Sequence, residues 1–281
     1  MINNNKISAV LVVFNEEKKI EDCLKSIFEV VNEIVVVHDG ECADSTLDIC
    51  RKYGCKVFIR DHIGSAEPHR PFALSKCTHN WVLQIDADER LSDDLQNKLP
   101  KLVSLKTDAY SFRWIVKNTS SKRYCLYKQI LFRKNKMYYV GLPHFQGETK
   151  GSYEKIDLEL QHDFAVYNTT LKIFSHYFKK NKNWGKISAQ MLSGSLSHVP
   201  VYNCSITDNS LKQVKKIRFI KSFPFFAILL IPLYSLLNNL LKKQLIKLGF
   251  FGLVLSSHTA LHHFFTCYYM CLNKLSLRKN G

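Results

Sequence analysis

The sequence predicts an α/β fold: a mixed, mainly parallel sheet flanked by helices, followed by a basic, apolar helical C-terminal region. Three observations carry this. Short runs of consecutive apolar, β-branched residues recur through the first 110 residues, each followed by a segment of helical periodicity. Unbroken apolar runs, as opposed to alternating ones, belong to strands buried on both faces, which is the condition of a parallel sheet covered by helices. From about residue 165 onward the strand signals stop and lysines interleave with long apolar segments.

Taken in order, "ISAVLVVF" (7–14) is the first strand, and Glu16 to Phe28 reads as a helix with Ile20, Cys23, Leu24, Ile27 and Phe28 on one face. "EIVVVHD" (33–39) is the second strand. In "ADSTLDICRKYG" Asp44 is the expected N-cap, Ser45 with Asp48 gives capping-box spacing, and Gly54 supplies the stop. "CKVFIRD" (55–61) is the third strand, 66–77 the next helix, and "NWVLQID" (80–86) the fourth strand. "AYSFRWIV" (109–116) then alternates, with Tyr110, Phe112, Trp114 and Val116 on one side; "KQILFR" (128–133) and "MYYVG" (137–141) are further strands. These extend the sheet with mixed or antiparallel pairing. The predicted division is a sheet-bearing domain over 1–165 and a basic, apolar helical region over 166–281.

Charge divides the chain the same way. Residues 1–110 hold 14 Lys and Arg against 18 Asp and Glu, whereas residues 111–281 hold 26 against 6. So uneven a distribution points to a polyanionic partner: phosphorylated substrate, anionic lipid or nucleic acid. Two apolar segments, 223–237 and 249–272, do not fit a nucleic-acid-binding protein, which is the alternative of another class. The first, with Pro224 and Pro232, is shorter than the roughly 20 residues of a spanning helix. The second carries Ser256, Ser257, His258, His262 and His263. Lys212, Lys215, Lys216, Arg218, Lys221, Lys242, Lys243 and Lys247 surround them. Apolar faces flanked by lysine fit helices lying on an anionic membrane surface. The nine cysteines show no framework spacing, Cys267 and Cys271 lack further metal ligands, and the N-terminal stretch has no signal-peptide layout. The expectation is a cytoplasmic protein attached peripherally to the inner face of the membrane.

In open parallel sheets ligands bind beyond the carboxyl ends of the strands. Three such ends carry polar residues here: Asn15-Glu16-Glu17, Asp39-Gly40 and Asp86-x-Asp88. If the fourth strand persists, Asp86 and Asp88 point to the same side. Two hard oxygen donors at that place suit Mg²⁺ or Mn²⁺, with substrate phosphates completing the shell. A two-carboxylate glycosidase is disfavoured, since its acid and base must flank a sugar from opposite sides.

The segments "ISAVLVVFNEEKKIEDCLKSI", "NEIVVVHDGECADSTLDICRKYG" and "HRPFALSKCTHNWVLQIDADERLS", with the spacing between them, resemble the family 2 glycosyltransferases of the GT-A, Rossmann-like fold. Within that family the likeness is to the bacterial lipopolysaccharide-core β-1,4-glucosyltransferase type. The resemblance implies that Phe14, Asn15 and Glu16 lie against base and ribose, and that Asp39 meets the uracil edge. It implies Asp88 as metal ligand, Asp86 as ribose or metal ligand, and Arg70 near the diphosphate. Its implied reaction is metal-dependent, inverting transfer of a hexose from a UDP-sugar, UDP-glucose in the first place, to a glycolipid or lipopolysaccharide-core acceptor. A polyprenyl-phosphate sugar transferase is the alternative enzyme. The chain departs from the family pattern at His38, at the longer turn "GECADST", at Pro71, and in lacking a His-Glu pair after the extra strands. The catalytic base is therefore expected at Glu148 or His144 in "GLPHFQGETKG", with Asp163 behind them, and His162 is a further candidate to approach the metal. Glu89 is expected to face water or brace Arg90.

Overall fold

A computed structural model describes residues 5–117, 123–162, 170–196, 198–205, 208, 210–241 and 244–279. Strands β1 (Ile7–Val13), β2 (Glu33–Asp39), β3 (Lys56–Arg60) and β4 (Trp81–Gln84) form the parallel part of an eight-stranded sheet. The sheet continues with β6 (Ala109–Lys117), β7 (Arg123–Arg133), β10 (Tyr153–His162) and the short β5 (Glu89–Leu91), in the order β3-β2-β1-β4-β7-β6-β10-β5. Pairing turns antiparallel at β4–β7 and β7–β6, parallel at β6–β10 and antiparallel again at β10–β5. A small sheet of β8 (Met137–Val140), β9 (Glu148–Thr149) and β11 (Val201–Tyr202) stands beside it.

The apolar runs work as predicted in β1, β2 and β4, which are buried on both faces; β3, at the sheet edge, is only partly buried, with Ile59 54 % exposed. On one face Ala9, Leu11, Val13 and Val36 pack with Ile20, Leu24 and Ile27 of α1 (Ile20–Ile27) and Leu95 and Leu99 of α4 (Asp93–Leu102). On the other, Val10, Val12, Val35 and Val37 pack with Ala73 and Leu74 of α3 (Arg70–Lys76). Each fully buried Val, Leu or Ile among them contributes on the order of 1.5–3 kcal/mol.

Local differences from the sequence reading have identifiable causes. Residues 16–19 form a turn before α1, closed by Lys19 N–H on Glu16 O, so that helix starts at Ile20. Helix α2 (Thr46–Lys52) has Ser45 in the cap position; Asp44 sits one residue earlier and accepts from Thr46 N through Oδ1. The fourth strand ends at Gln84, short of both aspartates. Residues 86–89 are a turn with Glu89 N–H on Asp86 O, so the two-residue strand period does not orient Asp86 and Asp88.

The C-terminal region comprises α5 (Thr170–Ser193), α6 (Lys212–Ser222), α7 (Pro224–Leu241) and α8 (Phe250–Lys279). Helix α8 packs along α5 on one side and α7 on the other. A Cβ placed on Gly185 would stand 2.5 Å from Phe265 Cβ, so glycine is what lets α5 and α8 approach. The segment expected to be too short for a span is an 18-residue helix, long and apolar enough to cross a membrane by length and composition. It outruns the sequence estimate because Pro224 takes the first position, where its missing N–H costs nothing, and Pro232 is accommodated inside the helix. The boundary expected at 165/166 lies outside the described residues.

Candidate active site

A cleft of about 670 Å³ opens beyond the carboxyl ends of β1, β2 and β4. Phe14, Glu16, Asp39, Arg70, Asp86 and Asp88 all line it. Phe14 is 47 % exposed and its ring lies 4.8 Å from that of His62, an aromatic pair at the cleft wall. Asn15 does not line the cleft. Its backbone takes φ +50°, its amide oxygen accepts from Ala43 N, and its N–H lies 3.2 Å from His38 Nε2. His38, where the family pattern has Asp, is buried and reaches Gly40 O through Nδ1 at 2.8 Å. Asn15 and His38 thus shape the loop behind the wall.

Asp39 ends β2 with both oxygens engaged: Oδ1 accepts from Ile63 N at 2.6 Å and lies 2.8 Å from His69 Nε2, and Oδ2 accepts from Gly64 N at 2.8 Å. Burial alone would raise its pKa, but the hydrogen bonds from His69 and the two amides outweigh that and hold the carboxyl below its ordinary range. Gly40 follows at φ +93°, where an added Cβ would meet His62 Cβ at 2.9 Å, so the close approach of the two loops requires glycine.

Around Asp86 the sequence reading is corrected. Arg70 Nη2 donates to Asp86 Oδ1 at 2.9 Å, and Lys128 Nζ donates to Oδ2 at 2.6 Å. Lys128 also reaches Glu89 Oε1 at 2.6 Å, while Glu89 Oε2 accepts from Asp86 N at 3.0 Å. Glu89, expected to face water or brace Arg90, is fully buried at 0 % exposure. Desolvation pushes its carboxyl up, opposed mainly by Lys128. Burial acts on Asp86 the same way, but the charges of Lys128 and Arg70 win and drive it well below the usual carboxylate range. Sequence reasoning missed Lys128, since nothing in "LYKQILFR" marks it.

Asp88 has a different setting. Its side chain is 32 % exposed at the cleft, with His162 Nε2 3.3 Å from Oδ2. Burial raises its pKa and the His162 hydrogen bond lowers it, with a net lowering. Among the described residues no group of three or more His, Cys, Asp or Glu converges as a metal cage. One open carboxylate beside a histidine, at the mouth of a cleft, fits a Mg²⁺-like ion that takes few protein ligands and completes its shell from phosphates. Asp86, with both oxygens taken by cations, does not fit as a ligand in this arrangement.

Neither expected base lines the cleft. Glu148 lies on β9, where its Oε1 accepts from Gln213 N at 3.1 Å and ties that strand to α6. His144 sits at φ +64° with its ring 4.6 Å from both Trp184 and His258, and its Nε2 is 2.9 Å from Asn181 Oδ1. Desolvation there lowers its pKa to about 4. Asp163 lies outside the described residues. Tertiary packing turns the 141–148 segment toward α5, α6 and α8, which its own sequence does not encode.

The far wall of the cleft comes from α5, through Lys180, Asn183 and Trp184. Trp184 Nε1 donates to Gly64 O at 3.2 Å, and Lys180 Nζ stands 4.5 Å from the centre of the Trp184 ring. The C-terminal region is therefore part of the cleft.

The family model described as Glycosyl transferase family 2 matches residues 8–175. An uncharacterized glycosyltransferase of Rickettsia typhi is 38 % identical over 94 residues, covering 34 % of this chain and 32 % of that protein. The chain thus matches about a third of that relative's length. The lipopolysaccharide core biosynthesis glycosyltransferase LpsC of Rhizobium meliloti is 32 % identical over 117 residues, 40 % of this chain and 43 % of LpsC. Among solved structures, S. aureus TarS superimposes with a TM-score of 0.44 at 14 % identity, covering 93 % of this chain and 55 % of TarS.

Proposed function

This chain belongs to glycosyl transferase family 2, and from that membership we propose that it transfers a hexose from a sugar nucleotide, UDP-glucose in the first place, to a membrane-anchored glycan of the lipopolysaccharide inner-core kind, with inversion. The observation that carries the reading is the convergence of Phe14, Asp39, Arg70, Asp86 and Asp88 on one cleft at the carboxyl ends of the parallel strands. The similarity to LpsC, a lipopolysaccharide core biosynthesis glycosyltransferase, supports the acceptor class.

In this reading the base lies against Phe14 and His62, while the diphosphate lies between Asp88 and the α5 wall. A bound Mg²⁺ or Mn²⁺ would be held by Asp88 and His162 and would supply charge neutralisation for the leaving diphosphate. Arg70 is tied to Asp86, so the exposed Lys180 is placed to face the phosphates from the other side. Asp86, fixed between Arg70 and Lys128, holds the turn that presents Asp88.

The acceptor's membrane anchor agrees with the surface of α7. Phe226, Leu229, Leu230, Leu233, Tyr234 and Leu241 are each more than half exposed and fall along one side of the helix. Pro224, Ala227, Ile231, Ser235 and Asn239 form the opposite, buried side. Lys212, Lys215, Lys221 and Lys247 lie in the flanking segments. Because α8 lies between α7 and the cleft-lining α5, the reading is that α7 lies in the interface of an anionic leaflet.

A screen of sugar nucleotides that measures released nucleoside diphosphate, with EDTA as control, tests the proposal. Release from UDP-glucose that EDTA abolishes is the expected result. No release from any donor, with lipopolysaccharide inner core supplied, would sink it.

A further inference from the structure

We propose that Glu67 is the general base of the transfer. The inference rests on the reading of the cleft as a sugar-nucleotide site and names the group that reading lacks once Glu148 and His144 are placed outside it.

Inversion at an anomeric carbon brings donor and acceptor to opposite faces of one atom. The group that takes the acceptor's proton must therefore stand where the two substrates meet. The molecule has a second cavity, of about 340 Å³, beside the cleft. Its lining includes Trp114 and Tyr127, whose ring faces suit sugar C–H groups, and Gln84, Gln129 and Gln146, whose amides suit hydroxyls. That is the chemistry of a carbohydrate acceptor. Glu67, Arg70 and Asp86 are the residues that line both cavities, and so form their shared wall.

Two of the three cannot act as base. Arg70 carries no acceptor and stays protonated. Asp86 has one oxygen on Arg70 and the other on Lys128. Glu67 is different: Oε2 accepts from Ser65 Oγ at 2.5 Å, and Oε1 has no hydrogen-bond partner among the described residues. Its backbone is fixed at the start of a 3₁₀ turn, Glu67–His69, with Pro68 next in line and its carbonyl accepting from Arg70 N. The fixed turn and the Ser65 bond anchor this carboxylate in the wall that the two cavities share.

The step then balances. Oε1 takes the proton of the acceptor hydroxyl while that oxygen forms the new bond to the anomeric carbon. The bond from that carbon to the β-phosphate oxygen breaks, and its electron pair leaves on the nucleoside diphosphate.

The test uses the full chain, UDP-glucose as donor, lipopolysaccharide inner-core glycolipid as acceptor, and UDP binding by calorimetry. Glu67→Gln is expected to lower kcat by about 10²- to 10⁴-fold while UDP affinity stays within about twofold. Glu67→Asp keeps the charge and withdraws it by one methylene; it is expected to fall between, again with UDP affinity kept, and it serves if the glutamine variant does not fold. A kcat within about threefold of wild type in Glu67→Gln, or a UDP affinity that falls in step with kcat in both variants, would overturn the role. Wild-type protein that releases no diphosphate from any sugar nucleotide would overturn the donor reading itself, so the two failures are distinguishable.

Discussion

At the scale of single residues, the two aspartates of "DAD" carry unequal duties. Asp86 is locked between two cations, and Asp88 is the carboxylate left at the cleft mouth. Asp88→Ala is therefore expected to abolish transfer, by about 10³-fold or more, while thermal unfolding stays within a few degrees of wild type, because a partly exposed side chain is removed. Retained activity with added divalent ion, measured as UDP release, would refute the assignment. Lys128→Met makes the opposite prediction. It leaves Glu89 buried and Asp86 half-compensated, which costs about 3–5 kcal/mol. The midpoint of urea unfolding should fall accordingly, and Glu89→Gln on top should recover part of the loss. An unchanged midpoint in Lys128→Met would show that the pair carries no such weight. None of this network was legible in the sequence. Lys128 and Asp86 are 42 positions apart, and only the β4–β7 pairing brings them together.

At the scale of elements, helix α7 shows how composition and packing divide the information. Its apolar content was plain from residues 223–237, but which side faces outward depends on α8. Ser235 Oγ lies 2.9 Å from His263 Nδ1 and Asn239 Nδ2 lies 3.5 Å from Ser256 O, which fixes the polar side inward. The opposite side then exposes Phe226 at 67 % and Leu229 at 72 %. Replacing Leu229 and Leu233 together by Glu is expected to lower co-flotation with anionic liposomes at least tenfold, since two buried leucines contribute roughly 3–6 kcal/mol of apolar transfer. Flotation equal to wild type would exclude this face as the attachment. Strand β4 teaches the complementary lesson: its apolar core matches the sequence pattern, yet it stops at Gln84, and Asp86 beyond its end enters the ion-pair network. Strand β10 and the short β5, unmarked by any apolar run, exist through the pairing of β5 with β10 and of β10 with β6.

Across the whole molecule, four histidines gather where the segment carrying His144 packs against α8. His144 stands between His258 and His262, and His262 has neither ring nitrogen satisfied among the described residues. His263 completes the group, with its Nε2 2.8 Å from Lys216 Nζ. Desolvation lowers the pKa of all four, that of His144 to about 4. Groups whose folded pKa lies below the unfolded value stabilise the fold above about pH 6.5 and lose that contribution as pH falls toward the folded pKa. For His144 alone the loss approaches about 3 kcal/mol. Thermal unfolding followed from pH 7.5 to 4.5 should show a steep decline beginning near pH 6.5, and a flat Tm down to pH 5 would contradict it. Asp39, Asp86 and Asp88, whose pKa values are lowered, add a further loss only below their ordinary range.

What the sequence determined by itself is what local pattern encodes: a mainly parallel sheet covered by helices, three polar strand ends, and a basic helical half with apolar runs. Those features follow from side-chain periodicity and need no partner to be recognised. The tertiary structure alone decided how Asp86 and Asp88 differ, that α5 closes the cleft, that Glu148 and His144 stand apart from it, and that Glu67 stands between two cavities. Each depends on distances between groups far apart in the chain, and a carboxylate's role is set by the charges packed around it.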